Sequence, residues 1–223
     1  MKTPSFGSLL GILAITTLYA ACQPPANTKN KDAEYRQALK LEKTGDFYLH
    51  EGETDSAMKV YNKSLTIYFR LSDSATPGKD TMYSFRIALV YDHFGRIYDT
   101  LKNYDTALAY EIKALQWGIK AHDKLYNLFI SNYDIANVCK SLADKKGKET
   151  AEAKALYLKG VKYAVSACWE ADSLGLKTQN ALYAYGQARQ IYHAIGDTVH
   201  EHFYLNKYHD LYFYLQGQNT QKH

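Results

Sequence analysis

The sequence has little of what staples or interrupts a chain: three cysteines and four prolines in 223 residues. Three cysteines exclude the disulfide framework of a small secreted domain. Pro4, Pro24, Pro25 and Pro77 all precede Gly78, and no proline follows through His223, as a nearly continuous helical array requires. No charge of one sign dominates. The 27 basic and 23 acidic side chains give a net +4, and setting Lys2 aside with an export signal leaves 26 against 23, or +3. That is too weak and too scattered for a nucleic-acid partner.

Sequence signatures of catalysis are also missing: there is no P-loop, no G-x-S-x-G, no H-E-x-x-H and no phosphate-cradling glycine run. His200, His202, His209 and Asp210 are the nearest thing to a metal motif. On a helix, residues two apart point to different sides, so they read as surface residues. The expectation is a non-enzyme without metal or cofactor.

One apolar run is present, from Leu9 through Leu10, Ile12, Leu13, Ile15 and Leu18 to Ala20 and Ala21. It follows Lys2, is too short to span a bilayer comfortably, and reads as a signal peptide over residues 1–21. A buried N-terminal helix is the alternative, but the run has no polar face and meets Pro24 and Pro25 at once. Tyr19-Ala20-Ala21-Cys22 resembles the lipobox of bacterial lipoproteins, with Tyr19 standing where that family prefers Leu. The resemblance implies lipidation at Cys22 and a membrane anchor without a transmembrane helix, facing the periplasm of a Gram-negative bacterium. Simple secretion is the other reading. Residues 22–32 read as the lipidated Cys and a flexible tether.

What the chain has in excess is tyrosine, at 21 residues, and a spaced pattern of small and aromatic side chains. Gly45, Tyr48, Gly52, Ala57, Tyr61 and Ser64 lie 0, 3, 7, 12, 16 and 19 residues along. This resembles the tetratricopeptide repeat, in which two antiparallel helices touch through small residues and an aromatic fills the space beside the contact. Gly95, Tyr98, Ala107 and Ala114 repeat the spacing, except that the second-helix aromatic, Tyr110, comes one place early and Glu111 takes its slot. A third unit carries Ala136, Cys139, Ala153, Tyr157 and Gly160, delayed by extra residues in KKGKET. A fourth has Tyr192, Gly196 and an early Tyr204, with Arg189, Glu201 and Tyr208 where small residues belong. The predicted fold is all-α, a right-handed superhelix of four helix hairpins over residues 33–216, with a disordered tail at 217–223. Cys139 and Cys168 are expected to be free, mostly buried thiols, too far apart along their helices to bridge.

In such arrays the first helix of each pair lines the concave face. The resemblance places Glu42, Asp46 and Leu49, then Asp92, Arg96 and Asp99, then Tyr133, Asn137 and Lys140, then Gly186, Gln190 and His193 on that face. Asn137 stands where peptide-binding members often bond the ligand backbone. A protein or peptide partner in the groove is one reading, and a merely solvated polar face is the other. Leu211, Tyr212, Phe213, Tyr214 and Leu215 make a second candidate surface, apolar on all sides of a helix, open to a partner or to a second copy, or packed back on the fourth unit. The functional expectation is a non-catalytic adaptor. A sensor that binds a small ligand between aromatic side chains is the alternative.

Overall fold

The computed structural model describes residues 26–73, 80–122 and 126–220, so Cys22, the expected export signal and residues 221–223 lie outside it. Eight α-helices and no strand are found among the described residues: α1 Ala26–His50, α2 Thr54–Asp73, α3 Asp80–Thr100, α4 Tyr104–Lys120, α5 Tyr126–Lys146, α6 Ala151–Ser173, α7 Gln179–Ala194 and α8 Thr198–Thr220. Consecutive helices pair as α1/α2, α3/α4, α5/α6 and α7/α8, and each hairpin packs on the next. The first helices of the second, third and fourth hairpins also touch one another, α3 on α5 and α5 on α7, so that edge of the stack is the tighter, inner one. No described helix is long and apolar enough to cross a membrane.

Local chemistry explains where the helices stop. Asn103, Thr150 and Thr178 cap α4, α6 and α7, each side-chain oxygen accepting from the backbone N–H three residues on. Gly52 and Gly196 turn the chain out of the first helix of their hairpins with φ of +78° and +77°. In the second hairpin Lys102 must adopt φ +58° at the matching place.

Packing follows the repeat pattern. Ala57, Ala107, Ala136 and Ala153 are wholly buried, Ala114 nearly so, and Tyr61 and Tyr157 are inaccessible to solvent. Tyr110 and Tyr204, the two aromatics one place early, stack on first-helix tyrosines: Tyr98 on Tyr110 at 5.4 Å and Tyr192 on Tyr204 at 5.6 Å. Tyr48, in the equivalent first-helix position of hairpin one, is half-buried against that hairpin's core. The degenerate fourth hairpin closes one turn early, where Gly186, not Arg189, lies against Tyr208. Cys139 and Cys168 are free and buried.

Three expectations need correction. Helix α1 begins at Ala26, so residues 26–32 are helical and not a loose tether; after Pro25 no proline or glycine interrupts them, and Tyr35, Ala38 and Leu41 anchor the helix to the core. Helix α8 continues through Gly217 to Thr220, because Leu211 and Leu215 dock on the last core cluster and the helix propagates from there. Gly196 has open space where a Cβ would sit, so it is not a close helix contact, and its φ of +77° sets it in the turn.

Candidate functional site: buried carboxylates beside a recess on the inner edge

In the first hairpin the Tyr61 ring lies flat over Gly45, so close that a Cβ there would sit 2.5 Å from Cε1. The Tyr61 hydroxyl donates to Asp46 at 2.7 Å, and His93 of the next hairpin stacks on the ring at 4.8 Å. The second hairpin has the same close approach at Gly95, but the side chain pressed onto it is Glu111, whose Oε1 a Cβ would strike. A carboxylate thus occupies a slot built for a ring, with 1% of its surface exposed.

Glu111 does not sit alone. Asp92 of α3, Glu111 of α4 and Asp134 of α5 each offer a carboxylate oxygen, and these oxygens lie within 4.8 Å of one another. Asp92 is 8% exposed, and both Asp92 Oδ1 and Glu111 Oε2 are buried without a hydrogen-bond partner. Burial pushes all three carboxyls above the ordinary range; neighbouring carboxylates push Glu111 and Asp134 further up, while the contact with Asp134 draws Asp92 back. The guanidinium of Arg96 opposes this for all three, after His93 in the case of Asp92.

Arg96 and Asp134 also line a recess of about 200 Å³ on the inner edge, together with Phe129, Tyr133, Asn180 and Tyr183. Burial, then the Asp134 charge, raises the Tyr133 hydroxyl above its usual range. Of the three carboxylates, Asp134 is the one that borders this recess.

Of the residues expected on the inner face, the structure brings Arg96 and Tyr133 together there. Asp92 is not exposed but buried in the carboxylate group, since it points between α4 and α5. Glu42 is likewise buried: its carboxylate accepts from Tyr68 at 2.8 Å and pairs with Arg86 at 3.1 Å, tying the first hairpin to the second. Leu49 packs into the first core cluster, and Gly186 is covered by Tyr208. Asp46 is exposed and engaged with Tyr61, and Asp99 is half-buried. Asn137 is half-buried, and the neighbouring Gln187 amide, with its nitrogen turned to the Tyr133 carbonyl, accepts from the Asn137 backbone N–H at 2.9 Å. Lys140 pairs with Asp144 at 2.9 Å. Gln190 is exposed outside this recess, and His193 faces Glu201 at 3.1 Å near the α7/α8 turn. His200 pairs with Asp197, and His200, His202, His209 and Asp210 form no three-ligand group among the described residues.

At the C-terminal end Leu211 is buried and Leu215 partly so, while Tyr212, Phe213 and Tyr214 are exposed, Phe213 at 68%. The run therefore packs back on the fourth hairpin along one side and is exposed along the other. A larger recess of about 390 Å³ lies beside it, lined by Asp172, Lys177, Tyr185, Lys207 and Tyr214 among others.

Sequence reasoning missed Glu111 and Asp134 as members of a site. The signal for Glu111 was visible, a charged residue in a slot that takes a ring; for Asp134 nothing in the spacing singled it out. Asn180 and Tyr183 are set beside Arg96 by the packing of α7 on α5, which no local pattern encodes.

No protein-family model and no curated protein matches this chain. Among solved structures it is similar to the crystal structure of BtubC (BKLC) from P. vanneervenii, at 11% identity and a TM-score of 0.36 over 87% of this chain and 94% of that one. It is also similar to the de novo designed helical repeat protein DHR64, at 13% identity and a TM-score of 0.34 over 86% of this chain and 97% of that one.

Proposed function

We propose that this chain is a non-catalytic interaction adaptor of the tetratricopeptide-repeat type, anchored by lipid at Cys22 on the periplasmic side of a Gram-negative membrane. The observation that carries the reading is the recess on the inner edge of the helical stack. Arg96 there is exposed beside Tyr133 and Tyr183, so one cation and two rings converge where a partner's segment can desolvate them. Tyr and Arg are the side chains that most often dominate binding energy at such surfaces. Arg96 is suited to orient a carboxylate or carbonyl of the bound segment, and Tyr133 to cover its apolar part.

The test is affinity capture from detergent-solubilised native membranes with a C-terminal tag, beside an Arg96→Ala, Tyr133→Ala control. A stoichiometric protein lost in the control, and a diacylglyceryl mass on Cys22 of the intact bait, are the expected results. Bait that arrives unlipidated and alone overturns both halves of the reading.

A small-ligand sensor is the second reading, favoured by the recess beside α8. Its volume falls in the range of small-molecule sites, and Tyr185 and Tyr214 flank Lys177 and Lys207. A thermal shift with metabolites that Tyr214→Ala abolishes, with no peptide binding, selects it. The exposed Tyr212, Phe213 and Tyr214 also offer a surface for a second copy, and light scattering at high concentration reads that directly.

A further inference from the structure

The geometry points to a binding site for a hard divalent cation, calcium first, held by Asp92, Glu111 and Asp134 between the second and third hairpins. Three features carry this. The ligand oxygens converge from three different helices to within 4.8 Å of one another. Asp92 Oδ1 and Glu111 Oε2 are buried with no donor to satisfy them, and both residues are more than nine-tenths buried. An unpartnered buried carboxylate oxygen is costly to keep, and a cation is the partner that such an arrangement accepts. Finally, Asp134 borders a recess that it shares with Arg96, which sets one of the three ligands at the surface of the inner edge.

Donor type and spacing select the ion. The donor set holds only carboxylate oxygens, which suit Ca²⁺, Mg²⁺ or Mn²⁺ and not the softer metals that take His and Cys. Two oxygens on one Ca²⁺, with bonds of about 2.3–2.6 Å, lie at most about 5 Å apart; around Mg²⁺, at about 2.0–2.1 Å, the limit is about 4.2 Å. Oxygens that lie within 4.8 Å of one another fit inside the Ca²⁺ limit without rearrangement, which puts Ca²⁺ first. Three carboxylates bring three negative charges, of which the ion offsets two; Arg96 counters the group and Asp99 adds to it. Gly95 is part of the design, because any side chain there would push the Glu111 carboxylate out of the site. An ion so held ties α3, α4 and α5 together directly behind Arg96 and Tyr133.

The experiment is isothermal titration and thermal melting of the purified full chain, stripped with chelator, against Ca²⁺, Mg²⁺, Mn²⁺ and Zn²⁺. One Ca²⁺ bound per chain and a rise in Tm of several degrees are expected. Glu111→Gln and Asp134→Asn each lower the affinity at least about tenfold, while Glu149→Gln, an exposed carboxylate elsewhere, leaves it unchanged. Circular dichroism establishes that each variant is folded, and Glu111→Gln preserves the shape of the side chain. No Ca²⁺ binding up to millimolar concentration overturns the site. So does equal binding in the two cluster variants, or binding of Zn²⁺ alone, which places the ligands at histidines.

Discussion

Hairpins one and two are built on one template and differ most at one contact. At Gly45 the partner is a tyrosine whose ring fills the gap and whose hydroxyl is satisfied by Asp46; at Gly95 it is a glutamate with an oxygen left over. The first contact meets every demand of burial: apolar surface leaves water, and the one polar atom finds an acceptor. The second meets the steric demand and leaves the electrostatic one open. Hairpin three returns to the first solution, with the Tyr157 hydroxyl donating to Asp144. A carboxylate in that position is therefore not required by the fold, and the second hairpin is where packing has given way to something else.

The largest test of this contrast is truncation of the two side chains. Tyr61→Ala empties a fully buried ring site and orphans Asp46, and is expected to cost about 3–5 kcal/mol. For a chain of this size that lowers Tm by roughly 6–20 °C. Glu111→Ala removes a buried charge along with its volume, so its net cost in chelator is expected to stay below about 1 kcal/mol. Equal losses in thermal melts would show that both positions serve packing alone. Gly45→Ala comes next: its Cβ meets the rigid Tyr61 ring, with an expected loss of about 1–3 kcal/mol. Gly95→Ala meets only the flexible end of Glu111, so it costs less stability and abolishes the cation response instead.

The contrast was half legible in the sequence. The offsets of Gly45 and Tyr61, and of Gly95 with Glu111 in its slot, define the hairpins, because close packing of two helices needs a small residue opposite a filler and both are written locally. The concave face was legible as a set of helix positions but not as a set of exposures. Asp92 and Glu42 have the right register, yet one turns into the carboxylate group and the other is captured by Tyr68 and Arg86 from neighbouring helices. Register along one helix says which side a residue occupies; whether the next hairpin covers that side depends on the angle of stacking. The end of α8 was misjudged for a related reason, since a polar stretch stays helical when the turn before it is docked.

A smaller difference between the hairpins lies at their turns. Gly52 and Lys102 occupy the same place, seven residues after Gly45 and Gly95, and both have positive φ, +78° and +58°. Glycine takes this conformation freely, whereas a residue with a Cβ carries a penalty of roughly 1–2 kcal/mol. Part of the gain from removing that penalty is offset by the greater freedom of glycine in the unfolded chain. Lys102→Gly is thus expected to stabilise by about 0.5–1 kcal/mol, while Gly52→Ala destabilises by a similar amount. Opposite signs in urea midpoints test the equivalence of the two turns.

The smallest effect concerns the hairpin that returned to the tyrosine solution. Against the upward push of burial, the Tyr157 hydroxyl and the Lys140 ammonium hold Asp144 below the usual carboxylate range. A carboxyl whose folded pKa is depressed binds fewer protons folded than unfolded at acid pH. Its contribution is present above the unfolded value of about 3.9 and is lost as pH falls through the folded value. Asp144→Asn is therefore expected to cost a few tenths of a kcal/mol at neutral pH, small because the pair is largely solvated. The deficit should close as pH drops below about 4. A deficit that persists at acid pH would mean that Tyr157 is held by shape alone, and that the charged partner in hairpins one and three is incidental to their packing.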